Sequence, residues 1–409
     1  MSVSIMKPRV IKYTKKVNTI PLIVAGQGVF VFENTDNMKP TVVYIYDKYK
    51  SNGLKIEFTT NNISIYIIQS LKPLVDPSCK QGILLKNGVY YWISLDAKNQ
   101  KLMAGFGEAR IENVSYTYHF TNFKTFLESL TTIAIADESV ALNPLRLVRD
   151  PITAKVPLLI KDVHELTMED IAKMTYLPRA NLSTVAQQLY TCIAGERFVL
   201  DTDDFPDFSK AIERSIITPG LWCYNKLQEK SREFNKDKPN ILETYLRITL
   251  GQNNGESPGI PYVMEIWPVG HYSPVHNHGG ADAVIRVLHG GINVALFPFL
   301  CNEIDSIPPF GKADFKKGDI TWISPSLNQV HQLTNLPTNK ETCITIQCYM
   351  YEADDTVHYN FFDYLDDTGN KQQYEPDSDK KFIEFKALMK QEWDTYQQGK
   401  KKPCLFCWK

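Results

Sequence analysis

Alternating apolar and polar positions dominate the first 130 residues. Val29-Phe30-Val31-Phe32, Thr41 to Tyr46, Leu54 to Phe58 and Ile63 to Ile68 are rich in β-branched and aromatic residues. Val89 to Leu95 and Lys101 to Ala104 follow, and Asn, Asp, Gly and Pro separate the runs. Such runs predict short strands joined by turns. No helical period lies between them, so the expectation is an antiparallel β-sandwich over 1–130. Residues 131–160, with Pro144, Pro151 and Pro157, read as a linker. From 161 to 237 the period lengthens toward that of helices. Thr167-Met168-Glu169-Asp170 has the form of a capping box. Asn181 or Ser183, then Asp207 or Ser209, then Thr218-Pro219, open three further helices. A second β-rich segment covers 238–370. The segment 371–409 carries a helical stripe of Phe382, Phe385, Leu388, Met389 and Trp393, capped by Ser378 and expected to stop at Gly399. The fold class is therefore mainly β with a helical connector.

Composition narrows the function classes. The 409 residues are 43% hydrophobic and 22% charged, as in a globular chain rather than a disordered or fibrous one. Lys and Arg total 45 against 46 Asp and Glu. That balance argues against nucleic acid as a partner, since phosphate contacts need a basic surplus. No apolar run reaches the ~18 residues of a membrane span. No apolar segment follows the basic start as a leader would, and the eight Cys are scattered. The expectation is a cytoplasmic protein with free thiols.

The densest chemistry lies at Gly270-His271-Tyr272-Ser273-Pro274-Val275-His276-Asn277-His278. Imidazoles at i and i+2 of a strand share a face and can reach one metal ion. A lone His-x-His is weak. Here Gly270 stands six residues before His276, and Val284 to Leu288 and Gly290 follow His278. His331-Gln332-Leu333-Thr334-Asn335 supplies a third His with an Asn four residues on. Together these match the two motifs of the cupins in outline.

The stretch from Tyr245 to His358 resembles the thiol dioxygenases, and cysteine dioxygenase most. The resemblance implies a cupin (jelly-roll) barrel holding non-haem Fe(II), ahead of Zn or Ni, on His276, His278 and His331. Tyr245-Leu246-Arg247 matches the family's Tyr-x-Arg, which implies that Arg247, with Tyr245 beside it, binds a substrate carboxylate. The family's Ser-x-His-x-Tyr row falls on Thr345-Ile346-Gln347-Cys348-Tyr349. That alignment gives Thr345 and Gln347 a substrate-binding position and Tyr349 a catalytic one. An Asp-Thr-x-His echo ends at His358. Two departures stand out. Ala283 replaces the Cys that crosslinks to the row's Tyr in animal members, and Gln347 replaces the row's His.

The implied reaction converts cysteine, or a similar carboxylated thiol, and O2 to the sulfinic acid. The partners are then a small thiol and dioxygen. Two rival readings remain: a metal-binding cupin acting on another substrate class, and a non-catalytic protein with a relic site. Tyr91 to Leu95 with Gly105-Phe106-Gly107 resembles the farnesoic acid O-methyltransferase-like β-sandwich domain. That resemblance implies an accessory module, for a protein or carbohydrate partner or for oligomerisation. Cys404-Leu405-Phe406-Cys407 lacks a second pair and reads as a tail with two thiols.

Overall fold

A computed structural model of the chain describes residues 9–13, 19–33, 41–59, 62–70, 73–74, 89–135, 145–234, 238–251, 262–300, 308–351 and 361–401. His358 and the Cys404–Cys407 pair lie outside the described residues. The chain divides into two compact units, Met1–Lys155 and Val156–Lys409. Among the described residues, no helix is long and apolar enough to cross a membrane.

The first unit is a β-sandwich. Its six-stranded sheet runs in the order Val10–Tyr13, Leu145–Val148, Gln27–Glu33, Tyr90–Asp96, Lys101–Phe106, Val114–His119. A five-stranded sheet has the order Thr19–Pro21, Leu130–Ile135, Thr41–Asp47, Gly53–Phe58, Ile63–Ile67. Period-two patterning explains the packing. Thr41, Val43, Ile45 and Asp47 are buried while the residues between them are half-exposed. Phe32 meets Phe58 edge-on at 5.7 Å, closing the core. Leu130–Ile135 and Leu145–Val148 belong to this unit, so 131–148 is not linker throughout. Leu145–Val148 is short and preceded by Pro144, and Leu130–Ile135 follows directly on the helix Lys124–Ser129, which hides their period.

The second unit stacks β-sheets in a jelly-roll-like arrangement with helices on one face. Its eight-stranded sheet runs Tyr176–Pro178, Leu159–Lys161, Ile320–Ile323, Asp282–His289, Cys343–Met350, Tyr262–Trp267, Leu246–Gly251, Lys380–Lys381. A three-stranded sheet has the order Gly311–Lys316, Gly291–Leu296, His331–Thr334. One face of the large sheet carries Leu246, Ile248, Met264, Ile266, Ile344 and Ile346. These pack with Leu189, Ile193, Phe208, Ile212, Phe385 and Met389 of the helices. The other face bears Tyr245, Trp267, Val287 and Cys343, packed with Ile292, Val294, Leu296 and Phe315.

The helices are Met168–Ala172, Thr184–Ile193, Phe208–Ile217, Trp222–Lys230 and Phe382–Lys401. Thr167 and Asp170 form the expected capping box, and Ser183 accepts the amide of Ala186. The connector is not wholly helical, because Tyr176–Pro178 joins the sheet beside Leu159–Lys161. The helix expected at Thr218-Pro219 begins instead at Trp222, after Gly220 at φ +90°. Gly399 does not end the last helix, which continues to Lys401. A single internal Gly costs only about 1 kcal/mol.

Gly290 turns the chain from one sheet into the other. Its φ is +65°, and a Cβ there would stand 2.5 Å from the Thr342 carbonyl oxygen. Gly290→Ala should therefore lower stability by about 1–3 kcal/mol. Thermal melting of the variant checks this.

Candidate metal centre

Three imidazoles converge inside the jelly-roll. The possible ligand nitrogens of His276, His278 and His331 all lie within 4.8 Å of one another. His331 opens the strand His331–Thr334, whereas His276 and His278 sit outside the regular strands. Pro274 has no amide to pair, and Gly279 and Gly280 have φ of +59° and +81°, so the segment cannot continue as a ladder. Bridges to two neighbouring segments hold it: His276 N–H donates to the His331 carbonyl at 3.0 Å and His331 N–H donates back at 3.0 Å, while Asn277 N–H donates to the Asp363 carbonyl at 2.9 Å. The three histidines were legible in the sequence as a candidate cluster. The expected strand was not formed, and a bridged loop serves instead.

The ring orientations suit a cation. His276 Nδ1 lies 3.0 Å from the Pro274 carbonyl, and His331 Nδ1 lies 3.2 Å from that of Asn328. A carbonyl can only accept, so both Nδ1 atoms carry the proton and both Nε2 atoms keep a lone pair. His278 Nε2 lies 3.1 Å from His331 Nε2. Nitrogens sharing one ion at about 2.0–2.1 Å stand roughly 2.9–3.4 Å apart. His278 Nδ1 is buried without a partner among the described residues. Burial pushes the His276 pKa down to about 4 and that of His331 to about 3, and drives His278 well below the ordinary imidazole value. All three are neutral donors at neutral pH. No carboxylate or thiol joins the cluster among the described residues.

A chain of buried polar groups runs beside the imidazoles. Arg247, Glu265 and Thr345 are successive partners across three adjacent strands. Arg247 Nη1 donates to Glu265 Oε1 at 2.5 Å. Gln347 donates through Nε2 to the other Glu265 oxygen and, at 3.3 Å, to Thr345 Oγ1. Tyr349 donates its phenolic proton to Gln347 Oε1. Burial works against the Arg247 charge, but Glu265 and the nearby phenols outweigh it and push the pKa up. Burial raises Glu265, while Arg247 and Gln347 pull against it. Arg247 Nε is buried without a partner among the described residues. The Arg247 backbone is fixed as well: its amide donates to Asp379 at 2.7 Å, and the Asp379 amide donates to its carbonyl at 2.8 Å.

Arg247, Tyr245, Gln347, His276 and His278 all line one cavity of about 20 Å³, together with Glu265. That is room for about one water. Tyr245 stacks on Trp267 at 4.1 Å. The Tyr349 ring stacks on His278 at 5.6 Å, and Ala283 is its cross-strand partner. Asn335 is fully buried and bonds the carbonyls of Trp267 and Glu341, a bracing role.

Glu265 was not singled out in the sequence. The signal was present, since it is the single acid in the apolar strand Tyr262–Trp267, on the face shared by Val263 and Trp267. A lone inward carboxylate needs a cation, and only the register reveals that the cation is Arg247.

No family model matches the chain. Solved structures similar to part of it include a cupin superfamily protein of Desulfitobacterium hafniense. It is 14% identical, with 27% of this chain and 79% of that one covered and a TM-score of 0.19. The Schizosaccharomyces pombe Cnp3 cupin domain is 13% identical, with 26% and 65% covered and a TM-score of 0.20. A ribosomal oxygenase of Escherichia coli is 16% identical, with 23% and 24% covered and a TM-score of 0.18. The chain thus spans less than two thirds of the second and about a quarter of the third.

Proposed function

We propose that the second unit is an iron-dependent thiol dioxygenase acting on cysteine or a similar carboxylated thiol. One observation carries the reading: two of three clustered neutral imidazoles, His276 and His278, share a cavity wall with an arginine whose Nε has no partner among the described residues. Fe(II) held by His276, His278 and His331 would supply a Lewis-acidic, redox-active centre for the thiol and dioxygen.

The chain's own groups have separable tasks. Arg247 pairs the substrate carboxylate, a planar fork that lysine could not offer. Glu265 fixes the guanidinium from the opposite side, so the fork is oriented before the substrate arrives. Tyr349, whose pKa burial drives well above the ordinary value, stays a neutral donor and passes its orientation through Gln347. Room for one water does not accept cysteine, so Arg247, Tyr245 and Gln347 must separate on binding. Both oxygen atoms of O2 end on sulfur. Sulfur loses four electrons, dioxygen gains four, and the thiol proton leaves with the sulfinate.

Buried free thiols at Cys223, Cys343 and Cys348 suit a reducing, cytoplasmic setting. The first unit is read as an accessory module for a protein or carbohydrate partner or for oligomerisation.

Oxygen uptake by Fe(II)-loaded protein tests the reading. Uptake with L-cysteine should exceed that with cysteamine, which lacks the carboxylate. No uptake with any of several small thiols would refute it. Ala283→Cys offers a second check, because it sets a thiol across from Tyr349. Aerobic incubation of that variant with Fe(II) and cysteine should give a Cys–Tyr thioether, seen as loss of two hydrogens in the intact mass. An unchanged mass would count against an oxidising site.

A further inference from the structure

A second cavity, of about 40 Å³, lies behind the imidazoles. It shares His278, Leu333 and Gln347 with the polar cavity, and these side chains form the wall between the two. His331 also faces it. Its remaining wall is almost entirely carbon, supplied by Ile285, Val287, Ile292, Val294, Leu296 and Phe315. Thr345 also lines it, its Oγ1 accepting from Gln347 at 3.3 Å, and the other polar side chains, the imidazoles apart, are engaged elsewhere. Thr321 donates to the Leu158 carbonyl at 2.8 Å, Asn328 to the Trp322 carbonyl at 3.1 Å, and Gln347 to Glu265.

Apart from the imidazole nitrogens, such a cavity gives water little to bond. Apolar cavities in proteins stay dry and take up small apolar molecules such as xenon. The volume is several times that needed for one water and too small for an amino acid. Its position beside two of the three imidazoles connects it to the metal centre rather than to surface packing.

We propose that this cavity is a gas pocket, which holds dioxygen next to the metal ligands while the polar cavity takes the thiol. The proposal deepens the oxygenase reading and rests on it for the identity of the gas. It gives the two co-substrates separate compartments, one lined by charge and one by hydrocarbon. A dry hydrocarbon compartment concentrates an apolar gas, because the gas leaves water for it.

Xenon-pressurised crystals of the full chain test the pocket without any turnover. Density is expected among Val287, Val294, Leu296 and Phe315, and its absence would overturn the proposal. The link to the metal is read with nitric oxide, an apolar diatomic, on Fe(II)-loaded protein. Val294→Phe should fill the pocket, abolish the xenon site and slow nitric oxide binding several-fold, with iron content unchanged. Phe315→Leu enlarges the pocket instead; it should raise xenon occupancy and leave nitric oxide binding at least as fast. An unaltered nitric oxide rate in folded Val294→Phe would overturn the proposal, as would slower binding in Phe315→Leu. Absence of thiol-dependent oxygen uptake would refute the dioxygenase reading alone, since the xenon and nitric oxide results do not depend on a thiol.

Discussion

His278→Ala should bind no iron tightly and should lose all metal-dependent stabilisation. The closeness of the His278 ring to both other rings is the reason. Its Nε2 faces His331 Nε2 at 3.1 Å, and its ring lies 5.0 Å from that of His276. Two imidazoles without it hold a divalent ion far less well than three, and no neighbouring carboxylate or thiol can substitute among the described residues. A ligand at a hundred times its Kd stabilises the folded state by about 2.7 kcal/mol. The wild-type melting temperature should therefore rise when Fe(II) is added anaerobically, and that of His278→Ala should not. Comparing each protein with and without metal removes the separate cost of the cavity left by the ring. His276→Ala should behave in the same way. A wild-type iron stoichiometry in either variant would refute the ligand assignment.

Glu265→Ala carries the largest expected cost in stability. Glu265 and Arg247 are 3% exposed, and their ion pair bridges two neighbouring strands of the large sheet. Removing one member of a buried pair strands the other charge and typically costs about 3–5 kcal/mol. Gln347 would lose an acceptor at the same time. Glu265→Gln keeps the shape and one acceptor, so it should cost less. Replacing both Arg247 and Glu265 by Met should cost less than Glu265→Ala, because desolvation of both charges disappears. Urea unfolding followed by tryptophan fluorescence measures this, since Trp222, Trp267, Trp322 and Trp393 all lie in the second unit. A loss below about 1 kcal/mol in Glu265→Ala would show that the pair is solvated or compensated.

The same pair bears on substrate choice. Arg247 is not a free cation waiting for a carboxylate, because Glu265 already holds Nη1. The proposed substrate must then engage the remaining edge, where Nε has no partner among the described residues. This limits the orientation of the bound acid more tightly than Tyr-x-Arg alone suggested.

Several features were readable before any coordinates. Period-two runs with turn residues between them announced a sandwich. The His-x-His segment with flanking glycines and a distant His announced three imidazoles at one point. Thr167 with Asp170 announced a capped helix. Each depends on local chemistry: pleat, turn and cap act over two to four residues, and their residue types record them directly.

Other features needed the folded chain. The strands Leu130–Ile135 and Leu145–Val148 are stabilised by neighbours far away in sequence, so their own patterns are weak. Pairing of Arg247 with Glu265 depends on the register of two strands joined by a loop. Meeting of His276 with His331 depends on one bridge across 55 positions of chain. The second cavity is decided only by how side chains from both sheets fail to fill a volume. The sequence by itself determined the kinds of element and the donor atoms for a metal, because those are properties of residues and short spacings. Only the tertiary structure decided which charges neutralise each other and where space is left, because register and packing are properties of pairs of distant segments.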